Sequence, residues 1–146
     1  MIQVREKLQV NAEQFFKQLG ESVAYDISET IGKEFRIEQI HEGYRYQKQM
    51  KNKMGMKGNV EVHIVSWKPC YCYEVEFFSF NGVNRLKYEI EDVEEGIYVN
   101  YMESFEGKSK MLDWNFKIVS GFMRYNTKRR IKRLLHAIEK HLMERN

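Results

Sequence analysis

Apolar and polar residues alternate from the start of the chain. Ile2, Val4, Leu8 and Val10 fall on one parity, and Gln3, Arg5, Lys7 and Gln9 on the other. A period of two predicts a half-buried strand. Asn11 with Gln14 three residues on has the spacing of a capping box and opens a helix that buries Phe15, Phe16 and Leu19. Gly20 is expected to end that helix. Ser22 then caps a second short helix through Val23, Ile27 and Ile31, which Gly32 closes. From Gly43 the period of two returns: residues 43–53, 59–68, 71–80, 83–93 and 96–106 all read as strands. The breaks between them carry turn chemistry, namely Gly55 with Gly58, Lys68-Pro69, Asn81-Gly82 and Glu95-Gly96. Short turns between successive strands imply antiparallel pairing.

A helical pattern begins near Leu112, with Gly121 and Asn126 expected to interrupt it. Beyond Asn126 the pattern is clean. Ile131, Leu134, Leu135, Ile138 and Leu142 recur at steps of three and four, the apolar stripe of one helix face. A lone helix of this length is marginal in water, so the stripe needs a partner surface, which the strands can supply. The predicted architecture is α+β in a single domain, 1–146. A curved antiparallel sheet of about six strands wraps a long C-terminal helix, with two short helices after the first strand.

Composition adds a few constraints. Nine Tyr, nine Phe and two Trp in 146 residues point to a real core rather than disorder. Cys70 and Cys72 share a parity and sit too far apart along a strand for an easy disulfide, so a reducing, cytoplasmic setting is expected. Neither a signal-peptide pattern nor a run of transmembrane length is present. Net charge is +3, unevenly placed: from Arg124 onward there are eight Lys/Arg and two Glu, leaving 16 basic and 19 acidic residues elsewhere. A basic helix on a mildly acidic body gives an alternative reading, an interaction module that contacts a protein, nucleic acid or an anionic membrane, although a solvated helix face is the plainer use.

The order of elements resembles the helix-grip fold of the START-like superfamily, which includes the birch-pollen allergens and polyketide cyclases. More narrowly, Asp26-Ile27, Thr30-Ile31-Gly32-Lys33, Gly43-Tyr44-Arg45-Tyr46, Tyr101-Met102-Glu103 and Ile138-Glu139 resemble a small bacterial family catalogued as domain of unknown function 3284. The resemblance implies a cavity between sheet and long helix for an apolar or amphipathic ligand. It carries no catalytic residue, and fold alone does not fix function.

Strand parity predicts what lines such a cavity: Ile2, Val4, Glu6, Leu8 and Val10; Tyr44, Tyr46, Lys48 and Met50; Val60, Val62, Ile64 and Ser66; Tyr71, Tyr73, Val75 and Phe77; Leu86, Tyr88 and Ile90; Ile97, Val99, Tyr101, Glu103 and Phe105. A single bulge would flip part of a set. A dry core would favour Phe and Leu over these tyrosines and charges, because buried hydroxyls and charges need partners. The expected ligand-binding residues are Tyr44, Tyr46, Lys48, Tyr73, Tyr88, Tyr101, Glu103 and Glu6, with Val62, Ile64, Val75, Leu86 and Leu135 taking the apolar part. Glu6 with Glu103 can also be read as an acid–base pair, and Lys48 as a nucleophile if desolvated, but binding is the simpler use of polar groups in a pocket. The expected partner is a small molecule or lipid. Nucleic acid is not expected, because Gly55-Met56-Lys57-Gly58 is flanked by strands rather than by the helices of a Gly-x-x-Gly clamp. No cofactor or metal is expected: the four histidines and two cysteines lack ligand spacing.

Overall fold

The computed structural model describes residues 1–51, 57–107 and 110–144, and of residues 50, 51, 57 and 110–126 the backbone only. The elements are β1 (Ile2–Leu8), α1 (Ala12–Ile31), a 3-10 turn (Ile37–Gln39), β2 (Arg45–Lys51), β3 (Lys57–Lys68), β4 (Cys72–Ser79), β5 (Gly82–Val93), β6 (Gly96–Gly107) and α2 (Lys110–Glu144). The strands form one antiparallel sheet in the order β1-β6-β5-β4-β3-β2. Strands β2 to β6 are a meander, and β1 joins its far side next to β6.

One face of the curved sheet carries the core. α1 packs on β2 and β5, the described half of α2 packs on β1 and β6, and the two helices touch. Leu8, Phe15, Ile27, Ile64, Ile97 and Leu135 are fully buried there. From α2, Ile131, Leu135 and Leu142 reach the sheet, whereas Leu134 of the predicted stripe is 51% exposed.

The predicted pair of short helices is a single 20-residue helix. The Asn11–Gln14 capping box forms, and Gly32 closes the helix in a left-handed conformation (φ 74°). Gly20 does not break it. A glycine in a helix interior costs about 1 kcal/mol relative to Ala, but here it admits close neighbours. A Cβ at Gly20 would lie 3.2 Å from Ile37 Cγ2 and 3.5 Å from the Trp67 ring. Ser22 caps nothing; its hydroxyl donates to the Gln18 carbonyl one turn back. α2 likewise runs unbroken through Gly121 and Asn126.

Two strand expectations shift for local reasons. The β3–β4 register slips between Ile64 and Ser66, a bulge that brings Trp67 to the core face in place of Ser66. Tyr71 precedes β4 rather than opening it. Cys70 takes a left-handed conformation (φ 72°), the Tyr71 N–H donates to the Lys68 carbonyl, and the Tyr71 side chain is 68% exposed. The hairpin at Asn81-Gly82 is present, but its loop residues are Phe80 and Asn81, since Ser79 pairs with Gly82. The glycine is required for space: a Cβ at Gly82 (φ 153°) would lie 2.7 Å from the Phe105 ring and against the Glu106 carbonyl. The turn expected around Gly55 and Met56, and the side chain of Met50, lie outside the described residues.

Candidate functional site

Strand register lays the inner face out as a grid. One row crosses the sheet from β1 to β3 as Val4, Tyr101, Tyr88, Tyr73 and Trp67, each directly opposite the next. Paired positions on neighbouring strands put side chains about 5 Å apart, so four consecutive aromatics make a continuous ladder. Ring centroids are 5.1 Å apart for Tyr88–Tyr101, 6.1 Å for the stacked pair Tyr73–Tyr88 and 5.4 Å for Trp67–Tyr73. α1 closes one end of the ladder with Phe16 on Trp67 (4.7 Å) and Phe15 near Tyr88 (6.5 Å).

The hydroxyls along this ladder are not treated alike. Tyr101 donates to Glu103 Oε2 at 3.1 Å. Burial, reinforced by the Glu103 charge, pushes the Tyr101 phenol well above its usual value. Tyr73 and Tyr88 make no hydrogen bond among the described residues. Burial raises Tyr73 strongly and raises Tyr88 to about 12, with the Glu103 carboxylate adding to the second. Tyr88, Leu86 and Phe77 are only half-buried although all three face inward.

A second cluster sits where α1 crosses β2. Asp26 of α1 accepts from the Tyr46 hydroxyl at 2.7 Å and from Lys48 Nζ at 3.0 and 3.2 Å. Burial first, then the Asp26 hydrogen bond and charge, drive the Tyr46 phenol far up. Tyr44 extends the cluster, its ring 5.9 Å from Tyr46 and 5.0 Å from Phe35. Lys48 Nζ also lies 5.8 Å from the centre of the Phe77 ring, which links this edge to the interior. Outside the cluster, an open cleft of about 520 Å³ is lined by Asp26, Glu29, Thr30, Gln47, Lys48, Gln49 and Asn59.

Glu6 belongs to neither cluster. Its carboxylate lies 3.6 Å from His136 Nε2 on α2, and His136 Nδ1 is 3.0 Å from Glu139. Glu139 in turn accepts the backbone N–H of Gln9. Glu139 and Glu6 hold His136 above its ordinary value; burial opposes the fall of the Glu139 carboxyl, but His136 and the Gln9 N–H still keep it below its ordinary value. Glu6 is opposite Val99 and Glu103 opposite Ile2, so the two carboxylates are offset by four residues. That is about 13 Å along the strands, too far for an acid–base pair around one bond, which needs roughly 5–9.5 Å. The eight predicted residues therefore divide into a tyrosine ladder with Glu103, an Asp26-centred edge cluster, and a separate Glu6 clasp.

Two participants received no site role from the sequence. Asp26 lies between apolar Ala24 and Ile27, and the helical period that marks those two gives an intervening carboxylate no role. Trp67 was on the wrong parity until the bulge moved it. Among the described residues no group of three His, Cys, Asp or Glu is placed to hold a metal. Burial pushes the free Cys70 thiol up, away from the reactive thiolate.

The family model described as Domain of unknown function (DUF3284) matches residues 2–124. No curated protein matches the sequence significantly. Solved structures do. The crystal structure of Mll3558 from Rhizobium loti superposes with a TM-score of 0.58 at 12% identity, covering 94% of each chain. Ara h 8.0201 superposes at 0.57 with 13% identity, over 98% of this chain and 97% of its own. MLL2253 from Mesorhizobium loti gives 0.54 at 14% identity, over 99% and 97%. At these identities the likeness establishes the fold, which is the helix grip that the order of elements predicted. No described helix is long and apolar enough to cross a membrane.

Proposed function

The chain belongs to the family Domain of unknown function (DUF3284), and from that premise we propose that it binds an amphipathic small molecule between the tyrosine ladder and α2. The apolar part of the ligand packs on Phe77 and Leu86. The hydroxyls of Tyr73 and Tyr88 and the carboxylate of Glu103 orient its polar part. Lys48, Tyr44 and Tyr46 form the β2-side flank, held by Asp26, and Glu6 acts through α2 rather than on the ligand.

One observation carries this reading: the buried Tyr73 and the half-buried Tyr88 stand side by side on the inner face, and neither hydroxyl has a hydrogen-bond partner among the described residues. A polar ligand group that meets both phenols makes hydrogen bonds that the described part of the chain does not itself supply. Catalysis is the weaker reading, because the two carboxylates first considered for it do not share a site.

The test is thermal unfolding against a panel of fatty acids, aromatic acids and sterols. A ligand at a hundred times its Kd stabilises by about 2.7 kcal/mol, or about 5–10 °C in a domain of this size. Replacing both Tyr73 and Tyr88 with Phe should leave the fold intact and remove most of the response. A panel with no responding member, or a double variant that responds like the parent, rejects the reading.

A further inference from the structure

Several cations of the sheet are neutralised by neighbouring carboxylates, whereas those on the described C-terminal part of α2 form an unneutralised group. On the sheet, Arg5 pairs with Glu91 at 3.1 Å, Arg45 with Glu61 at 3.2 Å, Arg85 with Glu76 at 2.8 Å and Lys87 with Glu89 at 2.8 Å. On α2, Lys128, Arg129, Arg130, Lys132, Arg133 and Lys140 have no carboxylate within ion-pair distance among the described residues. Two acids beside this part of α2 are already engaged. Glu139 and Glu6 are half-buried and face His136 and the Gln9 N–H.

Helix geometry aligns these free charges. At 3.6 residues per turn, Arg129, Arg133 and Lys140 fall within about 40° of one another, opposite the buried Ile131, Leu135 and Leu142, over about 17 Å of axis. Lys128 turns toward the β1 edge. There it lines an open cleft of about 490 Å³ with Met1, Gln3, Arg5 and Asn100. Arg, Lys, Gln and Asn side chains are the usual donors to phosphate oxygens, and Arg adds a two-pronged geometry that suits them.

We infer that the outer face of α2 and the adjoining β1 edge form a track for the phosphate backbone of duplex nucleic acid, bound without reading base sequence. The expectation against nucleic acid rested on missing motifs, and backbone binding needs none. Charge complementarity calls for an anionic partner, and the scarcity of exposed apolar side chains beside the stripe selects a phosphate backbone over a lipid surface. From Thr127 to Glu144, Ile131, Leu135 and Leu142 are buried and no aromatic occurs to enter a bilayer interface. Leu134 and Met143, each 51% exposed, flank the cationic stripe rather than crown it.

The experiment is fluorescence anisotropy with a labelled 20-base-pair DNA duplex, beside co-sedimentation with vesicles of 70% phosphatidylcholine and 30% phosphatidylserine. Binding should be clear at 50 mM salt. Neutralising five phosphates predicts about 500-fold weakening between 50 and 200 mM. The variant R129E/R133E/K140E, checked by circular dichroism for an intact fold, should lose binding. The variant K17E/K33E, which reverses an exposed lysine on α1 and another just beyond its end, should retain it. Absence of duplex binding at 50 mM salt, equal losses in both variants, or a preference for the vesicles overturns the proposal.

Discussion

Removing the Asp26 carboxylate tests the edge cluster most directly. Asp26→Ala strips the acceptor from the Tyr46 hydroxyl and from Lys48 Nζ together. The Lys48 bond contributes little, because the Asp26 side chain is 41% exposed and the pair is screened; about 0.5 kcal/mol is appropriate for such a pair. The Tyr46 bond counts for more. Tyr46 is 8% exposed, and its phenol donates to a charged oxygen at 2.7 Å, a class of bond worth about 1.5 kcal/mol or more. The sum is about 2 kcal/mol, or about 4–8 °C in the unfolding midpoint. Urea unfolding of Asp26→Ala, Tyr46→Phe and the double variant closes a cycle. Because both single changes break the same bond, the double variant should be scarcely less stable than Asp26→Ala alone. If the two losses instead add to within about 0.3 kcal/mol, as independent sites do, the bond carries no stability and the cluster is not a unit.

Other expectations follow from the same coordinates. Gly82→Ala should cost about 2 kcal/mol or more, since φ is 153° and the new Cβ meets the Phe105 ring and the Glu106 carbonyl; the urea midpoint measures it. Leu135→Ala should cost about 2–5 kcal/mol by opening a cavity where α2 meets the sheet, visible in the same assay and absent for the exposed Leu134. The His136–Glu139–Glu6 clasp should make stability depend on pH at both ends. His136 is raised, so its contribution is full below about pH 6.5 and is lost as pH rises through the folded value. Glu139 is lowered, so its contribution is full above about pH 4.3 and is lost as pH falls through the folded value. His136→Asn should flatten the alkaline limb of the midpoint-versus-pH curve, and an unchanged limb would remove the clasp from the account.

Strand positions were legible because alternation is a local signal that the pairing then reinforces. Each of the five meander strands begins and ends within a few residues of the break its turn chemistry marked. The capping box at Asn11 and the stop at Gly32 were legible for the same reason, since both act within one turn. The continuity of α1 through Gly20 was not, because what fills the space above that glycine, Ile37 and Trp67, arrives from distant parts of the chain. The same holds for Asp26, which acquires meaning only when β2 brings Tyr46 and Lys48 beside it. Tyr73, Tyr88 and Tyr101 could be assigned to one face by parity, but their meeting in a single row depends on the register of three strands.

That row of rings also gives the molecule an optical reporter. Light absorbed by the phenols passes by resonance transfer along the row to the indole of Trp67, which rests between Tyr73 and the Phe16 ring of α1. With Trp114 replaced by Phe, the remaining emission comes from a single place, under the helix. Lifting α1 from the sheet would hydrate that indole and redden its spectrum, so the opening of this part of the domain is readable without any added dye.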